Sequence, residues 1–220
     1  MNHNPDEYYN RSEVSNSDLT TLQNLLHPKL QFGDKEKAFK FGTLLDAIIT
    51  ETERVNFYTL QVDDVQYSED DFELAREMQK SLRMEARTDM FLAMVLKEAE
   101  TQAVSVHKKQ QFMYGDFGFT LDTRCKWDWF FRNYHFGGDL KSTFASTQKQ
   151  FEEALEFFSW IRSRAWYMDV EGTNRDFIYA ISKKNCKVFK KFFERDDKYY
   201  QKGKEEYSEL AFNWWCLNGS

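Results

Sequence analysis

Proline and glycine are scarce in this chain, 2 and 9 residues in 220, which argues against long disordered stretches. Cysteine is scarcer than its chemistry would need. Cys125, Cys186 and Cys216 are odd in number and far apart, which suits a reducing cytoplasm and excludes a paired-cysteine zinc or iron–sulfur site. The four histidines, His3, His27, His107 and His135, show no metal-ligand spacing, and only His135 falls near the residues singled out below. No run of about 18 apolar residues is present, so no membrane span is expected. The opening Met1–Glu7 lacks the basic-then-apolar layout of a secretory signal, so the expected location is the cytoplasm. A glycine-rich phosphate loop, a nucleophile elbow and a dinucleotide fingerprint are all missing, which removes several large enzyme classes.

Aromatic residues are abundant by contrast, 17% of the chain with 21 Phe, 11 Tyr and 6 Trp. The length fits one domain with a real core, and the net charge of −6 is not the global signature of a nucleic-acid binder. Acids crowd residues 51–100, whereas Lys183, Lys184, Lys187, Lys190 and Lys191 form a late basic cluster, read equally well as a DNA contact or a solvated helix face. Residues 1–14 read as a polar leader and 15–220 as a single domain.

Helices are predicted from Ser15–Leu19 to Pro28, over Lys35–Thr52 with an apolar stripe of Phe39, Leu45, Ile48 and Ile49, and over Glu69–Ala103 with a break near Glu85–Thr88. Near-strict alternation from Phe117 to Phe131 predicts a strand with one buried face and Asp128 on the other. Val104–Tyr114 reads as the strand before it, turned by Gly115-Asp116. Thr147–Asp169 reads as one long helix, Asp176–Ser182 as a strand, and Asp196–Trp215 as a last helix. The predicted class is α/β or α+β, with a helical N-terminal half.

Ten residues separate Asp128 from Asp139, and Lys141 follows two positions later on the same side of its strand. Two carboxylates on neighbouring strands suit a hard divalent cation such as Mg²⁺ or Mn²⁺, and the Leu140 carbonyl offers a further oxygen. Such an ion would polarise a scissile phosphate and acidify a water, while Lys141 would orient that water or stabilise the developing charge. Taken alone, the triplet equally describes a surface hairpin with a loop Asp and an exposed Lys. Asp46 adds weight, because it stands on or beside the face its helix would bury, in line with Phe39, Gly42 and Ile49. Ser163 and Tyr167 lie one helical turn apart, with Arg162 and Arg164 beside them as candidate phosphate contacts or plain helix-surface charge.

Taken in order, Val14-Ser15-Asn16-Ser17-Asp18-Leu19, Phe41-Gly42-Thr43-Leu44-Leu45-Asp46, Lys126-Trp127-Asp128 and Asp139-Leu140-Lys141-Ser142-Thr143 resemble the motifs of PD-(D/E)XK nucleases of the phage exodeoxyribonuclease VIII (RecE-like) group. The resemblance implies a restriction-endonuclease-like core, a central mixed sheet flanked by helices. It implies metal binding by Asp46, Asp128, Asp139 and the Leu140 carbonyl, and catalysis by Lys141. Tyr167 matches the tyrosine of the family's helix motif, whereas Ser163 stands where a glutamine is usual and Asp46 where a histidine is usual. The implied activity is a Mg²⁺- or Mn²⁺-dependent DNA exonuclease of phage or prophage recombination, acting at duplex ends from the 5′ side. The implied partners are double-stranded DNA ends, a single-strand annealing protein and further copies of the chain. A PD-(D/E)XK endonuclease or single-strand nuclease is the alternative with the same site, and a non-catalytic DNA-binding module on the same fold is another. A purely structural α+β protein, with no metal bound, is the remaining one.

Overall fold

The structure, a computed structural model, describes residues 8–28 and 34–218. Helix α1 (Asn16–Leu26) opens on a reciprocal cap in which Ser15 Oγ accepts from the Asp18 amide and the Asp18 carboxylate accepts from the Ser15 amide. Asp34 caps α2 (Lys35–Thr50) in the ordinary way, through the Lys37 amide. The buried face of α2 is Phe41, Leu44, Leu45, Ala47 and Ile48, whereas Phe39, predicted for that face, is 75% exposed.

A small antiparallel sheet follows, β1 (Val55–Asn56), β2 (Gln61–Val62) and β3 (Val65–Gln66). Two-residue strands carry no readable periodicity, so none of the three was predicted. Helices α3 (Glu69–Glu85) and α4 (Met90–Glu98) are separated at the predicted break, where Asp89 caps α4 through the Phe91 and Leu92 amides.

The main sheet has five strands in sequential order: β4 (Glu100–Tyr114), β5 (Phe117–Phe131), β6 (Phe136–Thr143), β7 (Arg175–Ser182) and β8 (Val188–Glu194). All neighbours are antiparallel except β6 and β7, which are parallel. A parallel pair needs a crossover, and here it is α5 (Gln148–Phe157) and α6 (Trp160–Glu171). The single helix predicted over Thr147–Asp169 is thus two helices, interrupted where Ser159 takes a left-handed backbone with φ 54°. Helix α7 (Lys198–Asn218) ends the described chain.

Strand β8 escaped the sequence reading because Lys190 and Lys191 interrupt its pattern. The lysine cluster is therefore not a helix face but the β7–β8 turn and an edge strand, where lysine discourages further pairing. The end of the polar leader is also anchored. Val14 bridges to β5, its amide donating to Asp122 and its carbonyl accepting from the Arg124 amide, each at 2.8 Å. Residues 1–7 of that leader lie outside the described residues.

Apolar side chains cover both faces of the sheet. Trp127, Phe130, Ile161, Trp166 and Tyr207 lie in one cluster with α6 and α7; Leu44, Ile48, Phe72, Trp129, Phe177 and Tyr179 lie in the other with α2 and α3. Gly137 and Gly138 let β6 fit between them. A Cβ at Gly137 would stand 2.4 Å from the Trp127 ring, and one at Gly138 would stand 2.2 Å from the Phe177 ring. The architecture is the predicted one, α+β with a central mixed sheet flanked by helices and a mainly helical first half.

Candidate active site

Strands β5 and β6 are hydrogen-bonded only near their hairpin, through Phe131–Phe136, Phe130–Gly137 and Trp129–Gly138. Continuing that register would place Asp128 opposite Asp139, and there the ladder stops. The Asp128 carboxylate takes the place of a backbone partner, Oδ2 accepting from the Leu140 amide at 2.7 Å. The alternation of β5 breaks at the same point, since Trp127 packs in one core cluster and Trp129 in the other.

The other neighbour of β5 is disturbed as well. Thr101 pairs with Trp129 and Ala103 with Trp127, so Gln102 stands across from Asp128, unpaired and in the left-handed region with φ 56°. A left-handed glutamine is uncommon and costs free energy, so its surroundings must impose it. Its side chain donates to Asp46 Oδ2 at 3.0 Å and contacts Thr50 Oγ1 at 3.1 Å, while Thr50 donates to Asp46 Oδ1 at 2.9 Å. Gln102 and Thr50 thereby aim Asp46 from α2 toward the gap in the sheet. Neither was singled out in the sequence, and no spacing would have shown them.

Lys141 lies on the same side of β6 as Asp139, as the Asp-x-Lys spacing predicts, and their charged groups form an ion pair. Asp139 Oδ2 takes no well-directed hydrogen bond from it, and the other oxygen faces Arg164 Nη2 at 3.2 Å. Arg164 is 1% exposed and reaches Asp176 with Nη1 at 3.5 Å. Its guanidinium also lies 4.0 Å from the centroid of the Tyr167 ring, which packs edge-on against Trp127.

These surroundings drive the two strand carboxylates apart. Burial pushes Asp128 well above the usual carboxylate range, and the Asp46 and Asp139 charges push the same way. Burial also acts on Asp139, but the Arg164 and Lys141 charges outweigh it and hold that carboxyl low. Burial raises Asp46 too, against the Thr50 hydrogen bond that favours its charged form. One acid held ionised beside one inclined to keep its proton is an arrangement common at catalytic centres.

Asp46, Asp128, Asp139 and Lys141 are therefore neighbours, and Tyr167 joins them through Arg164. Ser163 turns away into its own helix, donating to the Trp160 carbonyl at 2.8 Å. Arg162 is engaged with α1, donating to Asn16 Oδ1, Gln23 Oε1 and Thr20 Oγ1 at 3.1, 2.7 and 2.6 Å. His135 meets Glu171 at 3.7 Å at the hairpin. Among the described residues no three His, Cys, Asp or Glu side chains form a ready metal cage. In donor type the three aspartates nonetheless fit a hard divalent cation, whose charge would relieve the repulsion now raising Asp128.

No protein-family model matches the chain, and no curated protein is similar to it in sequence. Solved structures are similar in fold. One, from Eubacterium rectale and provisionally named an exonuclease, shares 12% identity at a TM-score of 0.51, over 87% of this chain and 70% of that one. Another, a phage-related exonuclease from Haemophilus somnus 129PT, shares 8% identity at a TM-score of 0.42, over 96% of each chain. Among the described residues no helix is long and apolar enough to cross a membrane.

Proposed function

We propose that this chain is a divalent-metal-dependent deoxyribonuclease that hydrolyses phosphodiesters at DNA ends. The observation that carries the reading is the meeting of Asp46, Asp128, Asp139 and Lys141 where β5 parts from β4 and β6. Asp46, Asp128 and Asp139, with the Leu140 carbonyl, would hold Mg²⁺ or Mn²⁺, and the ion would polarise the scissile phosphate. Lys141 supplies an ammonium that would stabilise charge developing on the phosphoryl oxygens, a type of contribution worth about 10²–10³ in rate. Arg164 keeps Asp139 ionised from beneath, and Tyr167 fixes the guanidinium plane. Arg162 and Arg164 are buried, so this reading gives them positioning roles, and it leaves phosphate contact to side chains nearer the surface.

Attack at ends rather than at internal bonds follows the resemblance in the motifs, and the designation of the Eubacterium rectale protein agrees with it. The same resemblance supports 5′ to 3′ polarity, a role in phage recombination with a single-strand annealing protein, self-assembly around DNA, and action in the bacterial cytoplasm.

The test is incubation of 5′-end-labelled linear duplex and closed circular duplex with Mg²⁺, Mn²⁺ or EDTA, beside Asp128→Asn and Lys141→Ala. Metal-dependent loss of the linear substrate alone, abolished in both variants, is the expected outcome. Cutting of the circle would make the protein an endonuclease, and metal binding without any cleavage would leave a DNA-binding module.

A further inference from the structure

The parallel strands β6 and β7 end side by side, where the Lys183 amide donates to the Thr143 carbonyl at 2.7 Å. That bond sets Lys183 beside Phe144, a residue 62% exposed. The Lys183 ammonium lies 3.8 Å from the centroid of the Phe41 ring and 5.3 Å from that of Phe144. Phe41 precedes Asp46 by five residues of helix, roughly 7.5 Å of rise. Phe144 follows Lys141 by three residues of extended chain, roughly 10 Å. The cluster thus lies within roughly 10 Å of the acids as measured along both elements that carry them.

Lys183 is half-buried, and among the described residues its ammonium touches aromatic rings and enters no ion pair. Burial lowers its pKa and the Lys37 charge adds to this, with Asp71 opposing from a distance. A partly desolvated cation needs compensation, and cation–π contacts return only part of it. What is missing is an anion. An open cavity of about 800 Å³ continues past Lys183, with Lys184 and Lys187 on the turn and Glu77 and Glu85 on the facing helix α3. Lys80 stands between those two glutamates on the same helix, so lysines line both walls of the cavity.

We propose that Lys183 and Phe144 hold an unpaired nucleotide of the DNA strand next to the scissile phosphate, Lys183 against its phosphate and Phe144 against its base. The assignment rests on the nuclease reading above. A solvent-facing ring beside a cation is the usual platform for a single strand, because every base has a face to stack. An unpaired base is free to turn its face to the ring, so the site favours frayed or single-stranded ends.

The test is the binding of a fluorescein-labelled single-stranded oligonucleotide, followed by anisotropy with calcium present and over a range of salt. Lys183→Gln is expected to reduce the slope of log affinity against log salt by about 0.7, the share of one phosphate on a single strand. Phe144→Ala is expected to weaken binding about tenfold with the slope unchanged, and Phe144→Trp to restore it. A merely structural lysine would leave the slope where it was. Wild-type affinity and slope in both variants, in a protein that still degrades linear duplex, would overturn this site and leave the nuclease reading intact. A wild-type protein that neither binds nor cleaves DNA would overturn the nuclease reading and this site with it. Melting temperatures of the variants verify that each is folded.

Discussion

Two largely enclosed aspartates of this molecule are treated very differently. Asp169, near the end of α6, accepts from the Tyr200 hydroxyl at 2.7 Å and from Tyr207 and Arg195, with the Lys204 ammonium at 3.6 Å. Every oxygen is satisfied and the charge is matched. Asp128 accepts one backbone amide and faces two further acids, with the Lys141 charge only partly offsetting them. The first arrangement is a finished strut that pins α7 to α6. The second is incomplete, and incompleteness of a buried acid is tolerated where something else is to bind.

The contrast is broken most severely by substitution in the incomplete cluster. Lys141→Ala and Asp128→Asn are each expected to lower nuclease kcat by at least about 10²-fold, measured by release of acid-soluble label from linear duplex. Fold stability should move the other way. Asp128→Asn mimics the protonated form that burial favours and keeps an oxygen for the Leu140 amide, so it should raise Tm by a few degrees, or about 1 kcal/mol. Asp169→Asn tests the other aspartate. It leaves the Arg195 guanidinium short of its counter-charge and should cost about 3 kcal/mol, read from urea unfolding, with activity per folded molecule unchanged. Equal destabilisation by both substitutions would erase the distinction drawn between them.

Much of the incomplete cluster was legible because it is built on short spacings. Asp139 and Lys141 lie two apart on one strand, and strand geometry alone puts them on one side. The Asp128–Asp139 meeting follows from a hairpin of ordinary length. Asp46 could be noticed as an acid beside an apolar face, though the face itself was misjudged around Phe39. What could not be read depends on long-range partners. Gln102 fell within the helix predicted to Ala103, whereas β4 already begins at Glu100 and the Gln102 backbone turns left-handed opposite Asp128, 26 positions later in the sequence. Arg162 and Arg164 are neighbours in sequence and both buried, yet one grips α1 and the other reaches Asp139 and Asp176. Nothing local separates those fates. Strand β8 was lost for a related reason, since its lysines at a sheet edge look the same as lysines on a solvated helix.

Asp176 offers the finest test of the comparison, because it is as buried as any residue here and contributes to neither pattern fully. It is 0% exposed, neither oxygen accepts a side-chain hydrogen bond among the described residues, and Arg164 stands 3.5 Å away. Burial pushes its pKa well above the ordinary carboxylate value, with Arg164 opposing. The sign then follows from proton binding. Below about pH 4 both folded and unfolded chains carry the proton, and this group sets no slope. As pH rises toward its folded pKa, the unfolded chain releases the proton first, the folded state binds more, and stability falls. Asp176→Asn mimics the protonated form and should remove that share of the decline. Urea midpoints for wild type and variant are therefore expected to converge near pH 4 and to separate toward pH 8 in the variant's favour, by less than the shift from Asp169→Asn. A variant weakened equally at every pH would mean that Asp176 is held ionised by Arg164 and belongs with Asp169 among the finished struts.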